Sequence, residues 1–252
     1  MDYTLKKSLG QHFLHDESIC ERIVEAVNTQ CTKLVEVGPG AGAITKYLFK
    51  KNIPEFRCIE LDKEKVDYLM KKYPELKDKI IHDDILDAEK PFEGHFHLIG
   101  NFPYNISTQI VFKILDWRDV VDEATGMFQK EVAQRIASIH GNKNYGILSV
   151  LTQCFYDVTY LFEVDETAFT PPPKVKSAVI QLKKNNNPYH IDHYEKFKSF
   201  VKVAFNQRRK TLRNGLKSIL PPEKLQDKIF DKRAEQLSVK EIADLFHTLY
   251  SV

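Results

Sequence analysis

The sequence predicts an α/β fold, a mostly parallel sheet with helices on both faces, followed by a small all-helical unit. Three observations predict it. Short apolar runs bounded by turn residues recur at 34–37, 56–61, 79–82 and 96–99. Between them lie stretches with apolar residues at helical spacing, such as 44–50 and 63–73. That alternation marks repeated strand–helix units, whose strands run parallel and are covered on both sides. Past residue 184 the strand-length runs give way to helical spacing, and the charge changes too. Residues 1–180 hold 22 Lys+Arg against 27 Asp+Glu, a balance of −5, whereas residues 181–252 hold 15 against 8, a balance of +7.

Three more strands are expected at 124–128, 148–162 and 177–183, the last two facing each other as an antiparallel hairpin across the proline-rich stretch 169–173. Lys184, Asn185, Asn186, Asn187 and Pro188 are polar and turn-forming, and mark the boundary between a first domain, 1–184, and a second, 189–252. In the second, amphipathic spacing predicts helices at 193–206, 210–219 and 239–250. A basic helical unit on an acidic body fits a polyanion partner. No apolar run approaches the roughly 18 residues of a membrane span, and no apolar block follows Lys6 and Lys7 as in a secretory leader. A monomer in the cytoplasm, with no membrane partner, is expected. Cys20, Cys31, Cys58 and Cys154 are scattered without metal-ligand or disulfide spacing, so no metal site is expected.

The segment Val35-Glu36-Val37-Gly38-Pro39-Gly40-Ala41-Gly42 runs from an expected strand into an expected helix, where an open parallel sheet binds nucleotide-like ligands. Glycines at 38 and 40 allow a tight turn and close approach of a ligand. Pro39 removes an N–H donor where a pyrophosphate would be cradled. The pattern therefore favours S-adenosylmethionine, which has no phosphate. Glu60, ending the second strand, is placed to accept both ribose hydroxyls, and Asp84, after the third, to accept from the adenine amine. A nicotinamide cofactor stays open on these residues alone.

Asn101-Phe102-Pro103-Tyr104 follows the fourth strand. The exocyclic amine of adenine is a poor nucleophile, because its lone pair is delocalised into the ring. Two acceptors aimed at its N–H bonds favour the pyramidal form: the Asn101 side-chain oxygen and the main-chain carbonyl of Phe102. Pro103 fixes the local backbone, and Tyr104 can stack on the base. The same geometry suits a glutamine amide nitrogen, an alternative that the basic tail disfavours.

Several ordered segments then carry a resemblance over nearly the whole chain: Ser8-Leu9-Gly10-Gln11-His12-Phe13-Leu14, the loop 36–40, Ile59-Glu60-Leu61-Asp62, residues 101–107, Gln129-Lys130-Glu131-Val132-Ala133, residues 169–179 and residues 204–214. In these the sequence resembles the ribosomal RNA adenine dimethyltransferase family that modifies small-subunit rRNA. The resemblance implies a Rossmann-like class I methyltransferase fold with a seven-stranded sheet, and S-adenosyl-L-methionine contacts at His12, Leu14, Gly38, Glu60, Asp84 and Asn101. Relatives usually carry Asn at the position of His12, where an imidazole can also donate a hydrogen bond. It further implies dimethylation at N6 of two adjacent adenosines in the 3′-terminal hairpin of 16S rRNA, within an immature 30S particle. Phe169 looks like a second stacking aromatic opposite Tyr104, closing on an extruded base. Arg208, Arg209, Lys210 and Arg213 look like the RNA-phosphate contacts. Gln11, Lys130 and Arg135 are further substrate-side candidates. The related enzymes that dimethylate large-subunit rRNA share the first domain, and a ribosome-assembly checkpoint role is the other alternative.

Overall fold

The structure, a computed structural model, describes residues 12–207 and 209–250. The chain forms two compact units. One runs through Ala133 and resumes over Thr159–Lys184; the other takes Gln134–Val158 and the chain from Asn185.

In the first unit β1 (Phe13–Leu14), α1 (Glu17–Glu25), β2 (Lys33–Val37), α2 (Thr45–Leu48), β3 (Glu55–Glu60), α3 (Lys63–Lys72), β4 (Ile80–His82), β5 (Phe96–Asn101), α4 (Ser107–Asp116) and β6 (Val121–Gln129) follow in order. α5 (Lys130–Ala137) leads into the second unit, where α6 (Ile147–Phe155) passes directly into β7 (Tyr156–Val164). β8 (Phe169–Thr170) and β9 (Ser177–Lys184) then complete the first unit. The seven-stranded sheet has the order β4-β3-β2-β5-β6-β9-β7. β2 pairs in parallel with β3 and β5, β3 with β4 and β5 with β6, whereas β9 runs antiparallel to β6. The chain winds outward from β2 to β4 and then returns to the other side of β2 with β5. The carboxyl ends of β2 and β5 thus flank a topological switch point, where open α/β sheets bind ligands.

Local chemistry sets these elements. Leu34, Val35, Glu36 and Val37 are all buried, so β2 reads as a continuous run rather than an alternating one, as a strand covered on both faces must. Asp16 caps α1, its carboxylate accepting the N–H groups of Ser18 and Ile19, and Asp62 caps α3 through the N–H of Glu64. α1, α2 and the inner faces of β2 and β3 share a core built on Ile23, Leu34, Leu48 and Cys58.

The strand expected at 148–162 is half helix. α6 takes Ile147–Phe155, and only from Tyr156 is the chain extended. Ser149, Val150, Leu151, Thr152, Cys154 and Phe155 are all buried, and even the short polar stripe of Ser149, Thr152 and Gln153 is largely covered. An apolar run of that kind does not declare its period. The same helix revises the expected division at 184 and 189, because residues 134–158 belong with the helical unit. There Phe155 packs edge-on to Tyr194 at 5.6 Å, and Tyr145 to Phe205 at 6.0 Å.

The second unit continues with α7 (Tyr194–Asn206), α8 (Leu212–Leu216) and α9 (Val239–Tyr250). Phe197, Phe200, Val201 and Ala204 line the buried stripe of α7, and the Phe197 and Phe200 rings meet Phe246 of α9 at 5.3 and 5.7 Å. The helix expected over 210–219 contracts to the five residues of α8.

Candidate active site

The loop after β2 is built from both sides. Gly38 and Gly40 take left-handed backbone angles, φ 67° and 57°, which a β-carbon would strain. The Gly38 N–H donates to the Ile59 carbonyl at 2.9 Å. The Gly40 N–H donates to the Glu60 carboxylate at 3.0 Å, whose other oxygen accepts the Asp62 N–H at 2.9 Å. Glu60 therefore braces the glycine loop as well as facing the cleft, a role the sequence reading did not contain. Burial pushes its carboxyl above the usual range, while the two N–H donors oppose that shift.

The cleft over this loop has a volume of about 340 Å³. All six residues expected at the cofactor, His12, Leu14, Gly38, Glu60, Asp84 and Asn101, line it. Three acidic residues whose carboxyls can carry charge there, Glu60, Asp83 and Asp84, line it beside the ammonium of Lys65. That balance suits a ligand carrying sulfonium and ammonium charges and opposes a pyrophosphate. With two left-handed glycines and a carboxylate at the end of β3, the residues fit S-adenosylmethionine and not a dinucleotide. One Asp84 oxygen accepts the Leu86 N–H at 2.9 Å, which fixes the turn and orients the carboxylate.

Glu36 and Lys65, each 1% exposed, are cleft groups that the sequence reading did not single out. The Glu36 carboxyl is pushed up to about 8, chiefly by burial; the hydrogen bond from the Thr45 hydroxyl at 2.7 Å opposes the shift and the charge of Glu60 adds to it. A carboxyl whose folded value lies above its unfolded one binds its proton more tightly in the folded state. The contribution of Glu36 to the stability of the ligand-free protein should thus be full below about 4.5, fall as pH rises from there to about 8, and level off above. Urea melts from pH 5 to 9 should trace that fall, and Glu36→Gln should flatten it; an unchanged slope in the variant assigns the effect elsewhere.

The catalytic loop is held at each residue. Asn101 closes β5 opposite Met127, and the Phe102 N–H donates to the Met127 carbonyl at 3.2 Å. Among the described residues the Asn101 carboxamide has no hydrogen-bond partner, which leaves it available to a ligand. The Tyr104 hydroxyl pairs closely with the Ser177 hydroxyl at the start of β9, and Ser107 donates to the Tyr104 carbonyl at 3.1 Å. The His12 ring stacks on Tyr104 with centroids 5.5 Å apart and planes 29° from parallel. Its Nδ1–H donates to the Pro171 carbonyl at 2.8 Å, which leaves Nε2 an acceptor in the neutral ring.

Other expected residues lie elsewhere. Phe169 is not in the cleft: it is 2% exposed in the hydrophobic core, because β8 pairs with β1 and sets Phe169 opposite Leu14. The aromatic ring facing Tyr104 is that of His12. Arg213 is engaged within its own unit. Its guanidinium donates to the Asp231 carboxylate at 2.7 and 3.2 Å, to the Asp227 carbonyl at 3.4 Å and to the Leu225 carbonyl, tying down the turns after α8. Arg209 and Lys210 are exposed; Arg208 and Gln11 lie outside the described residues. Lys130 is paired with Glu163 at 2.8 Å. No helix among the described residues is long and apolar enough to cross a membrane.

The family "Ribosomal RNA adenine dimethylase" matches residues 3–251. A protein of Cytophaga hutchinsonii named ribosomal RNA small subunit methyltransferase A is 52% identical over 97% of this chain and 96% of its own. One of the same name from Flavobacterium johnsoniae is 53% identical over 94% and 92%. Among solved structures, a dimethyladenosine transferase from Plasmodium falciparum superposes with a TM-score of 0.80 at 23% identity, covering 93% of this chain and 96% of that one. The 23S rRNA methyltransferase ErmE gives 0.71 at 24%, covering 94% and 99%. At those identities the two structures speak for the fold.

Proposed function

Because the chain belongs to the ribosomal RNA adenine dimethylase family, we propose that it transfers methyl groups from S-adenosylmethionine to N6 of adenosines in small-subunit (16S) rRNA. One observation carries the reading: Asn101 and Tyr104 open into the same cleft as the glycine loop and Glu60, so an adenine amine and a methyl donor can meet there. The identity of about half to relatives named for the small subunit favours that RNA over the large-subunit one.

When bound, S-adenosylmethionine supplies an electrophilic methyl group. The chain's own residues bind and orient. Gly38 and Gly40 admit the ligand close to the backbone, Glu60 accepts from the ribose, Asp84 from the adenine amine of the donor, and His12 and Leu14 form the wall. The Asn101 oxygen and the Phe102 carbonyl accept from the two N–H bonds of the substrate amine, and Tyr104, its hydroxyl tied to Ser177, holds the base flat. No strong general base is needed, because the nitrogen becomes acidic as alkylation proceeds. The basic cluster of Arg208, Arg209, Lys210 and Arg213 is our candidate for the phosphate contacts. The finer reading is that two adjacent adenosines of the 3′-terminal hairpin are each dimethylated within an immature 30S particle, by a cytoplasmic monomer.

Incubation with methyl-labelled donor and unmodified small-subunit particles, followed by mass spectrometry of the rRNA digest, should find label as dimethyladenosine. Label confined to large-subunit rRNA or to protein would overturn the proposal.

A further inference from the structure

Phe102 does more than offer a carbonyl. Its ring is 1% exposed and lies against the sheet over two glycines that face each other in register, Gly100 of β5 and Gly126 of β6. A β-carbon on Gly126 would overlap Phe102 Cε2 outright, and would lie 2.9 Å from its Cδ2 and 2.8 Å from Phe128 Cε2. One on Gly100 would lie 2.6 Å from Phe102 Cε1, and 2.6 Å from the Val37 carbonyl. Phe128 closes the far side edge-on, with ring centroids 5.0 Å apart. Neither glycine has a left-handed φ, so backbone freedom does not require glycine there. What requires it is the ring, joined at Gly100 by the Val37 carbonyl and at Gly126 by Phe128. A glycine inside a strand often marks a close approach by another group.

We propose that Gly100 and Gly126 are positioning residues: together they form a slot that seats the Phe102 ring and so aims the Phe102 carbonyl and the adjoining Asn101 side chain at the substrate amine. The proposal rests on the catalytic reading above. The Phe102 N–H is already bonded to the Met127 carbonyl, so the residue is fixed at its amide and at its ring. Only the carbonyl side of the residue, leading to Pro103, is left to face the cleft. Lifting the ring by about an ångström must tilt that peptide, and misplacement of this size costs on the order of a hundredfold in rate. Phe102 and Gly126 then form a steric pair: a smaller side chain at 102 should accept a larger one at 126.

The test is a double-mutant cycle with Phe102→Leu and Gly126→Ala, reading kcat and KM on small-subunit rRNA, donor affinity by calorimetry and folding by thermal melts. Gly126→Ala should lower kcat about tenfold to a hundredfold, with donor Kd changed less than about threefold. Adding Phe102→Leu, which removes the Cε2 atom that a methyl at 126 would overlap and leaves the lesser contact with the Phe128 edge, should restore at least fivefold of the lost kcat. A folded Gly126→Ala protein with wild-type kcat, or a double variant no faster than Gly126→Ala, would overturn the slot. If Gly126→Ala alone does not fold, the double variant decides: folded with kcat within about tenfold of wild type it supports the slot, and folded but slower it refutes it. Retained activity in Gly126→Ala beside lost activity in Asn101→Ala would reject the slot while leaving the catalytic reading intact.

Discussion

Asn101→Ala should abolish methyl transfer, lowering kcat by roughly 10² to 10³-fold, while RNA binding stays close to wild type. The side chain stands at the last position of β5, at the switch point, and its carboxamide is available to a ligand. Removing it leaves the substrate amine with one acceptor instead of two, so the lone pair stays delocalised into the ring. The backbone should not respond, because residue 101 keeps its register opposite Met127 whatever its side chain. Single-turnover kinetics with saturating rRNA would measure the loss. A gel-shift titration of the same variant would show whether RNA is still held. Near-wild-type turnover would remove Asn101 from the chemistry.

Glu60→Ala should weaken donor binding by roughly a hundredfold, since each hydrogen bond to a charged group is worth about 1.5–3 kcal/mol and 1.4 kcal/mol is tenfold. The variant loses the acceptor for the ribose and frees the Gly40 N–H at once. Glu60→Gln is the sharper probe. Both carboxylate oxygens accept a backbone N–H, from Gly40 and from Asp62, and an amide must turn its own NH₂ toward one of them. The glutamine variant should therefore bind the donor at least tenfold more weakly although its shape is unchanged. Isothermal calorimetry with S-adenosylmethionine is the measurement; equal affinity in Glu60→Gln and wild type would mean the carboxylate does not hold the ligand.

Much of the first unit is legible in its residues. Strands covered on both faces are rich in apolar residues, so the runs ending at Val37, Glu60 and Asn101 stand out, and in an α/β sheet the candidate ligand contacts follow such runs. That is why Gly38, Glu60, Asp84 and Asn101 could be picked out in order. What escaped depends on contacts distant in sequence. α6 is a mostly buried apolar run that passes straight into a strand, so its length reads as one continuous strand. Phe169 follows a turn and precedes three prolines, and nothing local says that β1 pairs with its strand. Arg213 reads as one more cation in a basic run until Asp231, eighteen positions later, returns beside it. Gly126 sits in a strand as an unremarkable glycine; only the ring of Phe102 gives it a purpose.

The interleaving of the two units bears on how such chains can be cut and recombined. Because residues 134–158 fold with the tail, a truncation after Lys184 strips α6 and the Tyr145 and Phe155 rings of their partners Phe205 and Tyr194, and leaves greasy surface on the fragment that remains. Exchanging tails between relatives would have to carry the internal loop along with the terminus, as two inserts made in register. The chain thus passes from one unit to the other three times, so neither unit can be removed by a single cut.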